Sequence, residues 1–516
     1  MKRESRTAKS FKNSSVALVF YFINLVLQFF SRKIFLDHLG TEILGLNTTA
    51  TNLLQFLNLA ELGIGTAVGF SLYKPFYDRD TQTINEIVTL QGKLYRRIAY
   101  IVIAGSAVLM CFFPLIFAKM TLPLWYAYAS FGVLLFSSLL SYFVNYKQIL
   151  LSADQKEYKI QYSYNATMLT KIFVQILAIK YFANGYAMWL VLEVVFAVVA
   201  SYVLQLTVKN TYPFIKDSDL SFNQLNAKYP AIQTKIKQLF AHKISAFVLH
   251  RTSFFIIYGF ASLTLVALYG NYMLIVTGLV AMANALSNGL TASIGNMVAE
   301  GNRDKILDVF EELFSVRFFI TAVMCFGMYT MTQPLITLWI GDKYLLPMST
   351  LTLITAILFV SVSRFTVESF LIAYGFFSDI WAPVIEATLN IGLSILLGYY
   401  FGLNGILSGV LISLIIVILG WKPVFLFFIS LKTGYLRYVI IYVKHILIGS
   451  IVFYLSYKTF WMLFSAPATD ILHFILQGSV GVGMFTILLW VVLYFTKCGV
   501  YTFCKRFMAN IQSIRQ

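Results

Sequence analysis

Runs of about twenty apolar residues recur along the chain, separated by short polar connections rich in Lys and Arg. A run of that length crosses the hydrocarbon of a bilayer as a helix. The pattern predicts fourteen spans: 14–36, 43–73, 98–118, 122–144, 163–183, 187–207, 239–262, 265–297, 313–333, 350–374, 382–401, 404–428, 440–460 and 471–495. The basic segment before the first span could pass for the start of a signal peptide, but no small-residue cleavage site follows, so a retained span is expected. The expected fold is an all-α polytopic membrane protein.

The second span departs from a plain apolar run. Thr48, Thr51, Gln55, Asn58, Glu61 and Gly65 follow at steps of three or four, which on a helix makes one polar stripe. Lipid cannot accept such a face, because unsatisfied amides and a carboxyl are costly there. Two readings stand: a polar seam between helices, or a wall of a substrate passage. The eighth span carries a similar seam, with Asn284, Asn288, Thr291 and Gly295 at steps of four, three and four.

Composition agrees with the membrane reading. Of 516 residues, 59% are hydrophobic and 12% charged, against about 25% charged in soluble domains. Mean hydropathy is +0.77. The net charge of +17 would suit nucleic acid, but its placement argues otherwise. About thirty of the 39 Lys and Arg fall in the tails and alternate connections; the opposite loops hold Arg32, Lys33, Lys119, Lys180, Lys343 and Lys458. Both termini are therefore expected in the cytoplasm, and the excess charge reads as a topology signal and an attraction to anionic lipid. No zinc pattern, phosphate-binding loop, dinucleotide fingerprint or nucleophile elbow is present. Neither metal, cofactor nor catalytic residue is expected. Asp217-Ser218-Asp219 looks like a metal-binding DxD, but its loop is too short for a nucleotide fold.

A shift of 224 residues sets Asn47 on Asn271, Gly65 on Gly289 and Asp78-Arg79-Asp80 on Asn302-Arg303-Asp304. Two six-helix halves are expected, 1–207 and 239–428, joined by a basic linker at 208–238 and followed by two more helices and a tail at 429–516. Six is even, so the halves insert the same way up, with a cavity between them.

Several ionisable residues fall inside spans, where they mark ion pairs or a pathway. Arg364 and Glu368 are four apart and can pair on one helix face. Lys171 either lines a lumen or pairs with Glu193. Glu386 shares a face with Asn390. Arg251 has no carboxylate within four residues, and is either an anion contact or a snorkelling interfacial residue. Arg32 is an anchor or a site residue. The candidate lumen set is Arg251, Lys171, Arg364, Arg32, Thr51, Gln55, Asn58, Asn284 and Asn288. The ion-coupling candidates are Glu61, Glu193, Glu368 and Glu386.

AELGIGTAVGFSLYKPFYDRD (Ala60 to Asp80), KLYRRIAYIV (Lys93 to Val102), LYGNYMLI (Leu268 to Ile275) and LWIGDKYLLP (Leu338 to Pro347) resemble the Wzx-type polysaccharide flippases. So does the stretch from Gly375-Phe376-Phe377 through Pro383, Glu386, Asn390, Ser394, Gly402, Gly405 and Gly409. These flippases belong to the multidrug/oligosaccharidyl-lipid/polysaccharide (MOP) exporter superfamily. The resemblance implies a V of two bundles and a transporter rather than an enzyme. It implies carriage of a polyprenyl-pyrophosphate-linked oligosaccharide across a bacterial inner membrane, for capsule, O-antigen or exopolysaccharide synthesis, driven by an ion gradient. Implied partners are the lipid-linked saccharide, membrane lipids, and a polysaccharide polymerase with export proteins; the chain is expected to act as a monomer, without nucleic acid. A drug or cation antiporter on the same fold, and a membrane glycosyltransferase or polymerase, are the alternatives.

Overall fold

The computed structural model describes residues 6–506 apart from 62, 286–293, 296, 299, 375–380 and 432–433; of side chains, those of 6–11, 14, 60, 238–252, 285 and 429–430 are also outside the description. Among the described residues the chain is helical, with no strand. Nine helical stretches among the described residues are long and apolar enough to cross a membrane. Two of them, at 43 and 48 residues, are too long for one crossing of a core about 30 Å thick. Each turns back at a glycine, Gly40 (φ 84°) and Gly402 (φ 57°), where a side chain would be strained.

The helices, in order, are α1 (6–39), α2 (41–57), α3 (Ile64–Asp78), α4 (Thr81–Cys111), α5 (Trp125–Phe143), α6 (Ala166–Tyr181), α7 (Gly185–Thr211), α8 (Pro230–Phe260), α9 (Leu263–Ala285), α10 (Arg303–Ile340), α11 (Met348–Ser363), α12 (Phe365–Ala373), α13 (381–401), α14 (403–414), α15 (Tyr435–Leu463) and α16 (Ile471–Phe495). Taking α2 with α3 and α11 with α12 as interrupted rods, these are the fourteen rods the hydropathy pattern predicts. Large apolar side chains such as Phe22, Tyr100, Leu115, Met462 and Leu472 are exposed, as the lipid-facing side of a multi-pass membrane protein requires.

The chain divides into two compact units, Met1–Ala267 and Leu268–Gln516. The first has a core drawn from α3, α4, α5 and the segment after α5, with Leu72, Leu90, Ala99 and Leu150 wholly enclosed. Asn47 is a buried node of that unit: it accepts hydrogen bonds from Ser130 on α5 and from Tyr186 on α7, the latter at 3.1 Å. In the second unit α10 packs against α11, α15 and α16. Phe326 of α10 stacks on Phe485 of α16 at 4.4 Å. Asn271, set on Asn47 by the sequence shift, is likewise fully buried. Between α13 and α14 the backbones nearly touch: a Cβ on Gly405 or Gly409 would collide with the main chain of Leu397 or Ser394. The Gly405-x-x-x-Gly409 spacing thus serves close packing.

The repeated turn before α4 and α10 has a local cause. Asp80 caps α4 by accepting the Thr83 amide at 3.0 Å, and Asn302 caps α10 by accepting the Lys305 amide at 3.2 Å. The two caps lie two residues out of step with the 224-residue shift, which sets Asp80 on Asp304. Hydrogen bonds from the Thr83 hydroxyl and amide hold the Asp80 carboxyl below the ordinary aspartate range.

The connection after α7 is docked on α4. Asn85 Nδ2 donates to the Phe214 carbonyl, the Ser218 amide donates to Thr89, and Arg97 lies over the Phe222 ring at 3.5 Å. Glu86, buried, accepts from Lys228 Nζ and Tyr229 OH, both at 2.6 Å, and from Gln82 at 3.2 Å. Burial, then the Glu86 carboxylate, push the Tyr229 phenol up to about 12, so it stays a donor at neutral pH. The DxD look-alike belongs to this clamp, with Asp217 3.7 Å from Lys147. A Glu86→Ala variant should leave three donors without their acceptor, at a cost of about 1–3 kcal/mol, and loosen the connection. Trypsin should then cut after Lys216 or Lys228 several-fold faster in the purified protein; an unchanged cleavage rate would show that the clamp does not hold the segment.

Candidate functional site

The polar stripe of the second span does not ride on one continuous helix. The helix ends at Leu57, passes through a tight turn at Asn58–Glu61, and restarts after Gly63, whose φ is 101°. The break points Asn58 and Glu61 at different neighbours. Asn58 exchanges hydrogen bonds with Ser138 and accepts from Tyr142, both on α5, the latter at 2.9 Å. Glu61 accepts from Tyr95 on α4 at 2.9 Å. Higher on the stripe, Thr48 and Thr51 bond back to the carbonyls of Leu44 and Asn47. Gln55 is half-buried on α2.

The broken segment opens a cavity of about 620 Å³ inside the first unit. Its walls come from the break and α3 (Glu61, Gly65, Tyr73), from α4 (Gln91, Tyr95) and from the segment after α5 (Tyr146, Gln148, Glu157). Gln91 is 1% exposed, and its Oε1 has no hydrogen-bond partner among the described residues. No Lys or Arg among the described residues lines the cavity. Just beyond Glu157 the chain makes a π-turn, Gln161–Asn165, a feature frequent at functional sites.

Lys171 on α6 and Glu193 on α7 meet at 2.7 Å, with side chains 14% and 10% exposed. Gln175 adds a bond to the other Glu193 oxygen at 3.0 Å. This triad satisfies itself. Arg32 Nη2 donates to the Ala267 carbonyl at 3.2 Å. Arg251 lies on α8, and its side chain is outside the described residues, as is Asn288. Asn284 is exposed near the end of α9.

The second unit holds a denser charge cluster. Arg364 and Glu368 pair at 2.6 Å, as their spacing allows. Lys422 joins the same Glu368 oxygen at 2.5 Å. Glu386 is 1% exposed and within electrostatic reach of Arg364 and Lys422; its Oε1, like both side-chain polar atoms of Asn390, has no partner among the described residues. Arg317, 5% exposed, donates to the carbonyls of Val362 and Ala283 and lies over the Phe365 ring.

Lys422 and Arg317 fall inside the predicted spans 404–428 and 313–333 but were not among the candidate residues; both lie within helical rods. Lys422 sits between two π-turns, Ile415–Trp421 and Leu426–Ser430, with apolar residues on either side. That apolar context was the available signal.

Breaking the Lys171 pair should cost more than deleting it. Glu193→Leu alone should destabilise by about 3–5 kcal/mol, because it leaves a buried ammonium uncompensated. Adding Lys171→Met should regain most of that loss. Thermal unfolding of the detergent-purified variants checks this, and a single variant that melts like the parent would rule it out.

No protein-family model matches the sequence, and no curated protein matches it. Solved structures do resemble it. The fold is similar to that of a structure described as the lipid II flippase MurJ in an inward closed conformation, with TM-score 0.65 and 14% identity over 92% of this chain and 98% of that one. It is also similar to an inward-facing multidrug resistance MATE family transporter of the MOP superfamily, with TM-score 0.59 and 14% identity over 79% of this chain and 95% of that one. The chain therefore has the fold seen in the MurJ flippase and in MATE transporters of the MOP superfamily.

Proposed function

We propose that this chain is a flippase that moves a polyprenyl-pyrophosphate-linked oligosaccharide from the cytoplasmic to the outer leaflet of a bacterial inner membrane, for capsule, O-antigen or exopolysaccharide assembly. The observation that carries this reading is the extent of the fold likeness. The MurJ structure, a lipid flippase, accounts for 92% of the chain, whereas the MATE structure accounts for 79%. The buried Arg317 and the partly buried Arg364 and Lys422 add support, since a pyrophosphate needs cationic contacts where it leaves water. Sugar hydroxyls and phosphate charges cannot enter hydrocarbon unaided. A wet groove replaces their water while the polyprenyl tail stays in lipid. No bond of the substrate changes, so the protein needs contacts and a change of access rather than catalytic groups. In this reading both termini are cytoplasmic, and a polymerase and export proteins act on the product.

The drive in this reading is an ion gradient, and Glu61 is the ion-coupling group, because it combines a carboxylate, a cavity and the Tyr95 hydroxyl. A drug or cation antiporter is the second reading, favoured by the carboxylate-lined cavity of the first unit.

Deleting the gene in a strain without a paralogue should strand lipid-linked repeat units on the cytoplasmic face; their normal appearance outside would end the flippase reading. In reconstituted vesicles, Arg251→Ala should abolish movement of the lipid-linked saccharide at unchanged protein level, with Arg251→Lys restoring part of it. Glu61→Gln should flatten the pH dependence of that movement. Export of dye cations, indifferent to saccharide synthesis, would favour the antiporter.

A further inference from the structure

The cavity of the first unit and the charge cluster of the second differ in sign. The cavity wall carries Glu61 and Glu157 with no lysine or arginine among the described residues, while the cluster sets Arg317, Arg364 and Lys422 against Glu368 and Glu386. A pyrophosphate placed in the cavity would face the carboxylates of Glu61 and Glu157 with no lysine or arginine among the described lining residues to offset the like-charge repulsion. A ligand that suits the cavity must instead donate and accept hydrogen bonds and carry no negative charge.

The cavity walls supply both. At about 620 Å³ it falls in the range that holds small organic molecules. Gln91 is enclosed, yet its Oε1 goes unpartnered while its Nε2 donates to the Tyr146 carbonyl at 3.4 Å. A buried amide oxygen left this way lacks a donor, and a ligand hydroxyl entering the cavity would supply one. Gln148 and Ser152 extend the polar wall. Tyr73, half of whose surface is exposed, offers an aromatic face for the apolar side of a ring. Small residues keep the approach open: a Cβ on Gly65 would come within 3.3 Å of the Tyr95 hydroxyl that holds Glu61.

We infer that this cavity is the pocket for the saccharide part of the substrate, that it takes uncharged sugar residues through their hydroxyls, and that it excludes acidic sugars. The inference rests on the flippase reading. It places the reading of the sugar in the first unit, in a pocket that does not hold the pyrophosphate. An organic cation would also be drawn to the carboxylates, but it would leave the Gln91 oxygen without a partner.

The test uses the full-length protein in lipid nanodiscs and three short-chain polyprenyl pyrophosphates: the bare carrier, one bearing N-acetylglucosamine and one bearing glucuronic acid. Calorimetry should show the neutral sugar bound at least about tenfold more tightly than the acidic one. Gln91→Leu should reduce the neutral probe to the affinity of the bare carrier, and Glu157→Gln should narrow the gap between neutral and acidic probes. Tyr73→Ala, at an exposed position, serves as a second variant should Gln91→Leu fail to fold; it should weaken the neutral probe while leaving the bare carrier unchanged.

Equal binding of neutral and acidic probes by the parent protein, or a gap untouched by every variant, overturns the pocket assignment alone when the bare carrier still binds. Displacement of the neutral probe by rhodamine 6G in a manner sensitive to Glu157→Gln overturns it in favour of a cation site. If none of the three carriers binds, the flippase reading falls and the pocket falls with it.

Discussion

A charge or amide inside a bilayer has no water to fall back on, so its partners must come from the protein. That constraint organises both units. Lys171, Glu193 and Gln175 close a triad between α6 and α7, and Glu368 gathers Arg364 and Lys422 around one oxygen. Arg317 spends its donors on two main-chain carbonyls, and Asn47 ties α2 to α5 and α7. Each of these groups fixes where two or more rods meet, because moving any one rod would strand a polar atom.

The groups that escape such closure mark where the structure is open to something else. Among the described residues, the Gln91 oxygen beside the cavity has no hydrogen-bond partner, and neither do one oxygen of Glu386 and the amide of Asn390, all buried. Both places sit near departures from regular helix: the break at Asn58–Gly63 and the π-turn at Gln161–Asn165 in the first unit, and the paired π-turns flanking Lys422 in the second. Irregular turns rotate the residues that follow out of their expected phase, so they redirect polar side chains inward.

The candidate site was partly legible before any coordinates. The pairing of Arg364 with Glu368 follows from a spacing of four on a helix, and the choice between a lumen position and a Glu193 partner for Lys171 is decided by the 2.7 Å contact. Glu61 and Asn58 were legible as polar residues that lipid would not accept, but their partners were not. Once the helix breaks at Leu57, helical phase no longer relates Asn58 and Glu61 to Thr51, and the stripe divides between α5 and α4. Lys422 and Arg317 were passed over as candidates because each lies towards one end of its predicted span, where a charge reads as a boundary residue.

By itself the sequence determined the class of molecule and the number and order of its rods. Those follow from a local rule, the length of each hydrophobic run against the thickness of the hydrocarbon. Only the tertiary structure decided which buried charges neutralise one another and where a cavity remains. Gln91 meets Tyr146, and Lys422 meets Glu368, across separations of more than fifty residues. No periodicity within one helix carries that information, because a side chain's partners depend on how separate rods rotate and pack against one another.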